Sequence, residues 1–322
     1  MPRIGPFFNI ILPALLVVAG CVNTFCEAQP LANSKETLSV ESTKWQIDVP
    51  AQDELSGGHL QGVQLYNNSL FVSGSSSKYA YLGLFQKLGE GFQFIGVKKL
   101  GEAPFNHAGG FQIAENWLAV GIEDPAGKRQ SMIQLIDISS FKTISSPPAF
   151  TLHRKGEFKR STAGAVAILK RKDHFLLAVG SWDCATIDFY VSNGLDPYSE
   201  EFSFEPWSSW DSREAVRKGW VSKKFSSYQN LQLSEDSTGL YITGFGRTGN
   251  GVDQADVFEL NTEADPYTLM KKVGSYAVQC SGNVTFRNGA GLATWDNRPC
   301  IIAVGHDLTP KMNVQVFPVK VD

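Results

Sequence analysis

The chain has few of the motifs that identify a catalytic class. Its 322 residues include only five cysteines, and no two of them have the CxxC spacing of a zinc site. HExxH, Walker and nucleophile-elbow motifs are also absent from the sequence. The 29 basic and 32 acidic residues leave a net charge of −3, so no dominant basic surface indicates nucleic-acid binding.

An uncharged apolar run of about 20 residues, the length of a membrane-spanning helix, is missing too. The apolar stretch 7–19 is shorter and is typical of a secretory signal, so residues 1–20 are predicted to be a signal peptide for export. Residues 18–21, Val-Ala-Gly-Cys, resemble the lipobox of bacterial lipoproteins, which predicts acylation of Cys21 and a lipid-anchored location in the cell envelope. A cut after Ala28 is the alternative and would release a soluble periplasmic or secreted protein.

Two further segments follow from composition. Residues 21–43 are polar and without apolar period, which predicts a flexible tether. Residues 44–322 are enough for one large domain. Export would permit disulfides among Cys26, Cys184, Cys280 and Cys300, but Cys184 and Cys300 are predicted to be buried, unreactive thiols.

A repeated phrase is the most informative feature. His59 begins HLQGVQL before the strand-like LFV at 70–72, and His107 begins HAGGFQI before LAV at 118–120. Both parts recur at an offset of 48 residues (59 to 107 and 70 to 118). A fixed period of this length indicates stacked supersecondary units.

Weaker copies continue the series. The units start at His59, His107, Thr162, Ser227 and Asn288, with steps of 48, 55, 65 and 61 residues. Each unit shows short alternating stretches bounded by Gly, Pro, Asn and Asp, the pattern of antiparallel strands. Thirty glycines and few helical patterns agree with an all-β fold.

The fifth unit lacks a fourth strand, and an extra strand at 44–49 precedes the first unit. If that N-terminal strand joins the last sheet, five four-stranded sheets form a ring without open edges. The chain therefore resembles a five-bladed β-propeller in which the N-terminal strand closes the last blade. A β-sandwich or a solenoid is the alternative fold.

The resemblance places one polar residue per blade around the central axis. Residues after the second strand of each blade should return to the same face. His59, His107, Asp124, Asp183 and Asp307 are therefore the candidate ligand-binding residues. The histidines could equally bond turn backbone, and Asp124 and Asp183 could equally satisfy local amides.

Two functions from different classes remain open. The leading hypothesis is an exported, lipid-anchored binding or scaffold protein whose polar axial funnel holds a small polar or carbohydrate ligand. The alternative is a hydrolase. It would be a glycosidase using two of Glu123, Asp124, Asp183 and Asp307, or a metal-dependent enzyme using His59, His107 and His306 with a carboxylate. No pattern indicates a particular cofactor, metal or oligomeric state.

For three other features, a structural interpretation competes with a functional one. Tryptophans of the insertion at 196–225 are predicted to pack a small core rather than to stack on sugars, and residues 212–219 could form a short helix. Gln64, Gln112 and Gln232 recur at one strand position and are predicted to connect the inner strands. The basic cluster around Lys159-Arg160 is predicted to be solvated, with anionic polymers as a lesser alternative.

Overall fold

The computed structural model of the protein describes residues 37–38 and 42–320. This part of the chain is almost entirely antiparallel β-structure. Its 21 strands are β1 (Thr37–Leu38), β2 (Thr43–Asp48), β3 (His59–Tyr66), β4 (Ser69–Ser75), β5 (Tyr79–Leu88), β6 (Gly91–Glu102), β7 (His107–Ala114), β8 (Trp117–Glu123), β9 (Gln130–Asp137), β10 (Phe150–Lys155), β11 (Ala165–Lys170), β12 (Phe175–Gly180), β13 (Thr186–Ser192), β14 (Phe204–Asp211), β15 (Tyr228–Asp236), β16 (Gly239–Arg247), β17 (Asp253–Leu260), β18 (Met270–Val278), β19 (Ala290–Trp295), β20 (Arg298–Val304) and β21 (Lys311–Lys320). Helical residues in this part are confined to α1 (Phe141–Ser145) and the 3₁₀ turns Asp53–Leu55 and Trp182–Cys184.

The strands form four-stranded antiparallel sheets in chain order. β3–β6 and β15–β18 each make one sheet. β7–β10 and β11–β14 are two four-stranded units joined by one parallel pairing of β7 with β11, and β19–β21 are completed by β2. The first strands contact one another in a closed series, β3 with β7, β7 with β11, β11 with β15, β15 with β19, and β19 with β3. The described residues therefore form a ring of sheets, and the predicted β-propeller architecture is confirmed.

The inner strands approach so closely that side chains are excluded at some positions. A Cβ on Gly110 would lie 2.3 Å from the carbonyl oxygen of Gln229, in the inner strand of another blade. Only glycine fits this approach. Close packing against that strand therefore explains why the second unit has glycine at position 110.

Three buried glutamines connect the inner strands, as predicted. Backbone groups at the ring's inner edge have no strand partner there, and the amides satisfy them. Gln64 Oε1 accepts a bond from Ile113 N at 2.7 Å. Gln112 Nε2 donates to Leu233 O at 2.8 Å, and its Oε1 accepts from Leu233 N at 2.8 Å and from Ile168 N at 3.1 Å. Gln232 Oε1 accepts from Leu292 N.

Ring closure occurs where the sequence predicted it. β2 pairs antiparallel with β21 from Thr43 opposite Val316 to Asp48 opposite Lys311. Ile47 is 3% exposed, and Trp45 packs at 4.6 Å, between ring centroids, from Trp295. The two-residue strand β1, inside the segment predicted as a tether, also pairs with β21.

The insertion after β13 is part of the core rather than a separate surface feature. Trp210 is fully buried, and Trp220 and Phe225 pack around it with ring centroids 6.4 and 5.0 Å away. The small-core interpretation is thus confirmed. The short helix over 212–219 is wrong, because these residues form turns and an extended segment after β14.

A buried ion pair connects the neighbouring strands β17 and β18. Lys272 and Asp256 form an ion pair at 2.7 Å with neither side chain exposed. Tyr228, Gln254 and Ser275 also donate to Asp256, at 2.5 to 2.7 Å. A fully bonded pair of this kind is costly to break by removing one partner.

The thiols agree with their predicted character. Cys184 and Cys300 are buried and not in disulfides. Burial raises the pKa of both, that of Cys300 to about 12. Cys21 and Cys26 lie outside the described residues. Within the described part, no helix has the length and apolarity that crossing a bilayer requires.

Candidate functional site

Strand direction brings the candidate residues to one end of the propeller. His59 and His107 are the first residues of β3 and β7, and they pair with Ser75 and Glu123, the last residues of β4 and β8. The start of each first strand and the end of each second strand thus share a face. This is the arrangement from which the sequence predicted a site.

A cavity of about 630 Å³ opens at this end, on the propeller axis. Its size is that of a small-molecule site. Its wall consists mainly of polar and aromatic side chains from different blades, which are His59, Gln61, His107, Glu123, Gly164, Ser181, Trp182, Asp183, Tyr228, Gln229, Thr285, Arg287, Asn288 and His306. A second cavity of about 550 Å³ lies between Arg247 and Cys280, but it lacks a comparable set of side chains from several blades.

Three imidazoles adjoin one another in the axial cavity. The ring centroid of His59 lies 5.5 Å from that of His107 and 5.5 Å from that of His306. Burial, together with the neighbouring His107, His306 and Arg287, lowers the pKa of His59 to about 4. His59 is therefore neutral at pH 7.

Gln61 contacts the half-buried imidazoles of both His59 and His107. Its amide nitrogen contacts Nε2 of His59 and lies 3.4 Å from Nε2 of His107. Contact with an amide N–H requires Nε2 of His59 to accept, which places the proton of this neutral ring on Nδ1. In His107, Nδ1 lies 3.3 Å from Glu123 Oε2, with an angle that makes no hydrogen bond.

Glu123 is a buried carboxylate held by the neighbouring blade. It is 1% exposed. Its Oε1 accepts a 2.8 Å bond from the backbone N–H of Ala163. It lies beside the His107 ring, so that the two form a carboxylate–imidazole pair. Such a pair can orient a ring and stabilise its protonated form.

Asp183 reaches the cavity from a strained turn. It has φ of +59°, and Cys184 follows with φ of +50°, a left-handed pair that costs free energy for non-glycine residues. The Asp183 carboxylate accepts a 2.8 Å bond from Ser227 Oγ and remains exposed. The turn also presents Trp182 to the cavity.

The structure does not bring all predicted residues to the cavity wall. His59, His107 and Asp183 line it. Asp124 is turned into its own loop, where Oδ1 accepts from the N–H of Gly127 at 2.8 Å, and these loop bonds keep its pKa below the usual range. Asp307 is exposed and lies 2.7 Å from His306 Nδ1.

The sequence analysis missed several wall residues, among them Gln61, Tyr228 and Arg287. Gln61 lies two residues after a unit start, and Tyr228 and Arg287 are each one residue from one. Neighbourhood to a unit start was therefore an available signal. Tyr228 also connects the cavity to the buried Asp256, because its hydroxyl donates to that carboxylate, and burial raises its pKa well above the ordinary value.

The metal hypothesis can be tested on the donor set. Within the described residues, no three His, Cys, Asp or Glu side chains are placed to hold one ion together. Gln61 contacts Nε2 of both half-buried histidines, His59 and His107. The residues at this site therefore do not fit the predicted histidine–carboxylate metal centre.

Comparison with known proteins gives fold-level likeness only. No family model matches the chain, and no curated protein sequence matches it. An endo-arabinase structure from Bacteroides thetaiotaomicron matches with 12% identity and a TM-score of 0.48, over 84% of this chain and 95% of that one. A β-xylosidase/α-arabinofuranosidase from a compost metagenome matches with 9% identity and a TM-score of 0.49, over 85% and 96%.

A sialidase from Trypanosoma rangeli is similar at 11% identity and a TM-score of 0.44. The match covers 80% of this chain and 44% of the sialidase chain. The described structure is thus compared with less than half of that enzyme. Likenesses at these identities and TM-scores transfer no activity or substrate to this chain.

Proposed function

We propose that the protein is a binding protein whose axial cavity holds a small anionic polar ligand, such as an acidic sugar. The observation that carries the proposal is the Arg287 side chain on the wall of the axial cavity of about 630 Å³. A guanidinium and N–H donors recognise carboxylate, sulfate or phosphate groups.

The neighbours of His59 on the wall include a cation. Arg287 is positive, and it lowers the pKa of His59 together with the two other histidines. An anion in the cavity would oppose that effect, so His59 should take up a proton when the ligand binds. The affinity should therefore rise as the pH falls from 7 towards 5.

The test is a titration of the purified protein with glucuronate, galacturonate and their neutral parent sugars. Acidic sugars should stabilise the protein against heat, neutral ones should not, and Arg287→Gln should remove the effect. Arg247→Gln, in the second cavity, is the matched control and should bind as wild type. Absence of stabilisation by any of these acids would reject the proposal.

A hydrolase is the second candidate, because Glu123 and Asp183 line the same cavity. In a glycosidase one carboxyl would protonate the leaving oxygen and the other would attack the sugar or activate water. Both carboxylates already accept protein bonds, from Ala163 N–H and Ser227 Oγ. Turnover of aryl glycosides that is abolished by Asp183→Asn and by Glu123→Gln, in folded variants, would establish it over simple binding.

The lipid-anchored location is a proposal that rests on residues 18–21. Acyl chains on Cys21 would hold the protein at a membrane, since each buried methylene contributes about 0.8 kcal/mol. Cys21→Ser should move the protein from the membrane pellet to the soluble fraction. A soluble wild-type protein that begins at Gln29 would contradict the anchor.

A further inference from the structure

The rim of the axial cavity carries a compact set of cations. Three loops form it: 124–129 after β8, 156–164 before β11, and the turn after β12. The loops are bonded together, because Lys159 N–H donates to the carbonyl of Lys128 at 2.6 Å and Trp182 N–H donates to Thr162 Oγ1 at 2.6 Å. The rim is therefore a preformed surface.

Aromatic rings hold the cationic groups in place. Lys128 Nζ lies 3.6 Å from the ring centroid of Trp182, and Lys159 Nζ lies 5.9 Å from it. The guanidinium of Arg129 lies 5.8 Å from the ring of Phe158, whose side chain is 53% exposed. Cation–π contacts orient these groups without neutralising them.

The charge of the rim cations is not cancelled locally. Within the described residues, neither Lys128, Arg129 nor Lys159 forms an ion pair with a carboxylate. The neighbouring Arg154 and Arg160, by contrast, share Asp188. The rim thus presents three cations that, among the described residues, have no direct carboxylate contact, although Asp124, Glu157 and Asp183 lie in the same loops.

Backbone strain coincides with the same positions. Lys128 has φ of +51° and Lys159 has φ of +61°. Side chains larger than that of Asn are uncommon in this left-handed region, and strain of this kind is concentrated at functional sites. Glycine would adopt both turns without strain, yet both positions carry a lysine directed at Trp182.

Trp182 belongs both to this rim and to the wall of the cavity. We propose that the rim formed by Lys128, Arg129, Phe158, Lys159 and Trp182 is a second binding subsite, continuous with the axial cavity, for the next acidic unit of an anionic oligosaccharide. This inference rests on the proposed binding function and extends it from a single ligand to a class of polymer. The cavity binds one charged unit, and the rim binds carboxylate or sulfate groups of the following one.

An anionic sugar chain fits the two features together. The cavity has room for a sugar unit, and the adjoining rim combines aromatic rings with cations. Charge-assisted bonds to the rim would add to the affinity of the first unit. Their contribution should weaken with salt.

The experiment compares galacturonate, tetragalacturonate and the neutral cellotetraose by calorimetry on the full chain. In wild type, tetragalacturonate should bind about tenfold or more tightly than the monomer, and cellotetraose should not bind. Lys128→Gln/Lys159→Gln should abolish the gain of the tetramer and leave the monomer unchanged. Lys142→Gln/Lys172→Gln, exposed cations at the opposite end of the sheets, is the control and should retain the gain.

The outcomes separate this inference from the proposed function. Equal affinity for monomer and tetramer in wild type, or a tetramer gain that persists in Lys128→Gln/Lys159→Gln, overturns the rim subsite. Tetramer binding that needs both lysines but survives Arg287→Gln supports the rim and rejects the cavity. Salt-sensitive binding to phosphatidylserine vesicles in place of tetragalacturonate would identify the rim as a lipid-binding surface and overturn the inference. A sulfated tetrasaccharide, run in parallel, distinguishes sulfate from carboxylate as the preferred group.

Discussion

Removal of the closing strand β2 should destabilise the whole ring. A chain that begins at Ala51 lacks the strand that pairs along β21 from Val316 to Lys311. It also loses Ile47 and Val49, each 3% exposed, and the Trp45 contact with Trp295. The outer edge of the last sheet would then be open for pairing with other chains.

The magnitude follows from the buried side chains. Ile47 and Val49 contribute about 1.5–3 kcal/mol each through burial, and the half-buried Trp45 adds to this. The sum is a large share of the roughly 5–15 kcal/mol by which a typical domain is stable. The shortened chain should therefore unfold at a markedly lower temperature or aggregate.

A point variant isolates the packing from the backbone pairing. Ile47→Ala should cost about 2–5 kcal/mol, or a decrease of roughly 5–15 °C in Tm for a domain of this size. Lys44→Ala, on an exposed position of the same strand, should change Tm by no more than about 2 °C.

Thermal unfolding followed by circular dichroism measures both comparisons, with a chain beginning at Ser42 as the length control. Equal unfolding temperatures for the chains beginning at Ala51 and Ser42 would refute the reasoning. So would an Ile47→Ala variant as stable as Lys44→Ala.

Three further predictions concern the interior. Gln112→Leu should destabilise the fold by about 2–5 kcal/mol in urea unfolding, because it leaves both backbone groups of Leu233 without their partner; a loss below 1 kcal/mol would contradict the connecting role. Asp256→Asn should cost about 3–5 kcal/mol by leaving Lys272 buried and unpaired, and adding Lys272→Met should recover most of that loss. The pKa of His59 is about 4 in the fold, against 6.5 for the free side chain. The unfolded chain therefore binds this proton first, and stability falls as the pH decreases from 6.5 to 4. For this partly exposed ring the loss should be about 2 kcal/mol, and the difference in pH dependence between wild type and His59→Asn measures it.

The architecture could be predicted because its signals are local and repeated. Alternation with period two identifies strands without reference to distant residues. The 48-residue offset predicted the first residues of β3 and β7 correctly. Counting strands then predicted the β2–β21 pairing, since a ring needs its edges closed. The first residue of the inner strand was predicted less accurately for units whose sequence has diverged. The inner strand of the third unit begins at Ala165 rather than Thr162, whose hydroxyl bonds Lys159 O in the rim loop.

The site was only partly predictable. His59 and His107 line the cavity because a unit start is also a position on the axis. Asp124 follows β8 with equal regularity, yet its carboxylate bonds the N–H groups of its own loop. Which way a loop side chain turns depends on donors that only the folded loop provides.

The sheets, their order and the face on which polar residues gather could be predicted from the sequence, because each depends on periodicity along the chain. The set of side chains that meet on that face depends on contacts that exist only in the folded ring. Arg287, Tyr228 and Gln61 reach one cavity from different blades, and Lys128 meets Trp182 across separate loops. These contacts join residues tens to hundreds of positions apart, and their distances, burial and charge coupling arise only when the ring closes.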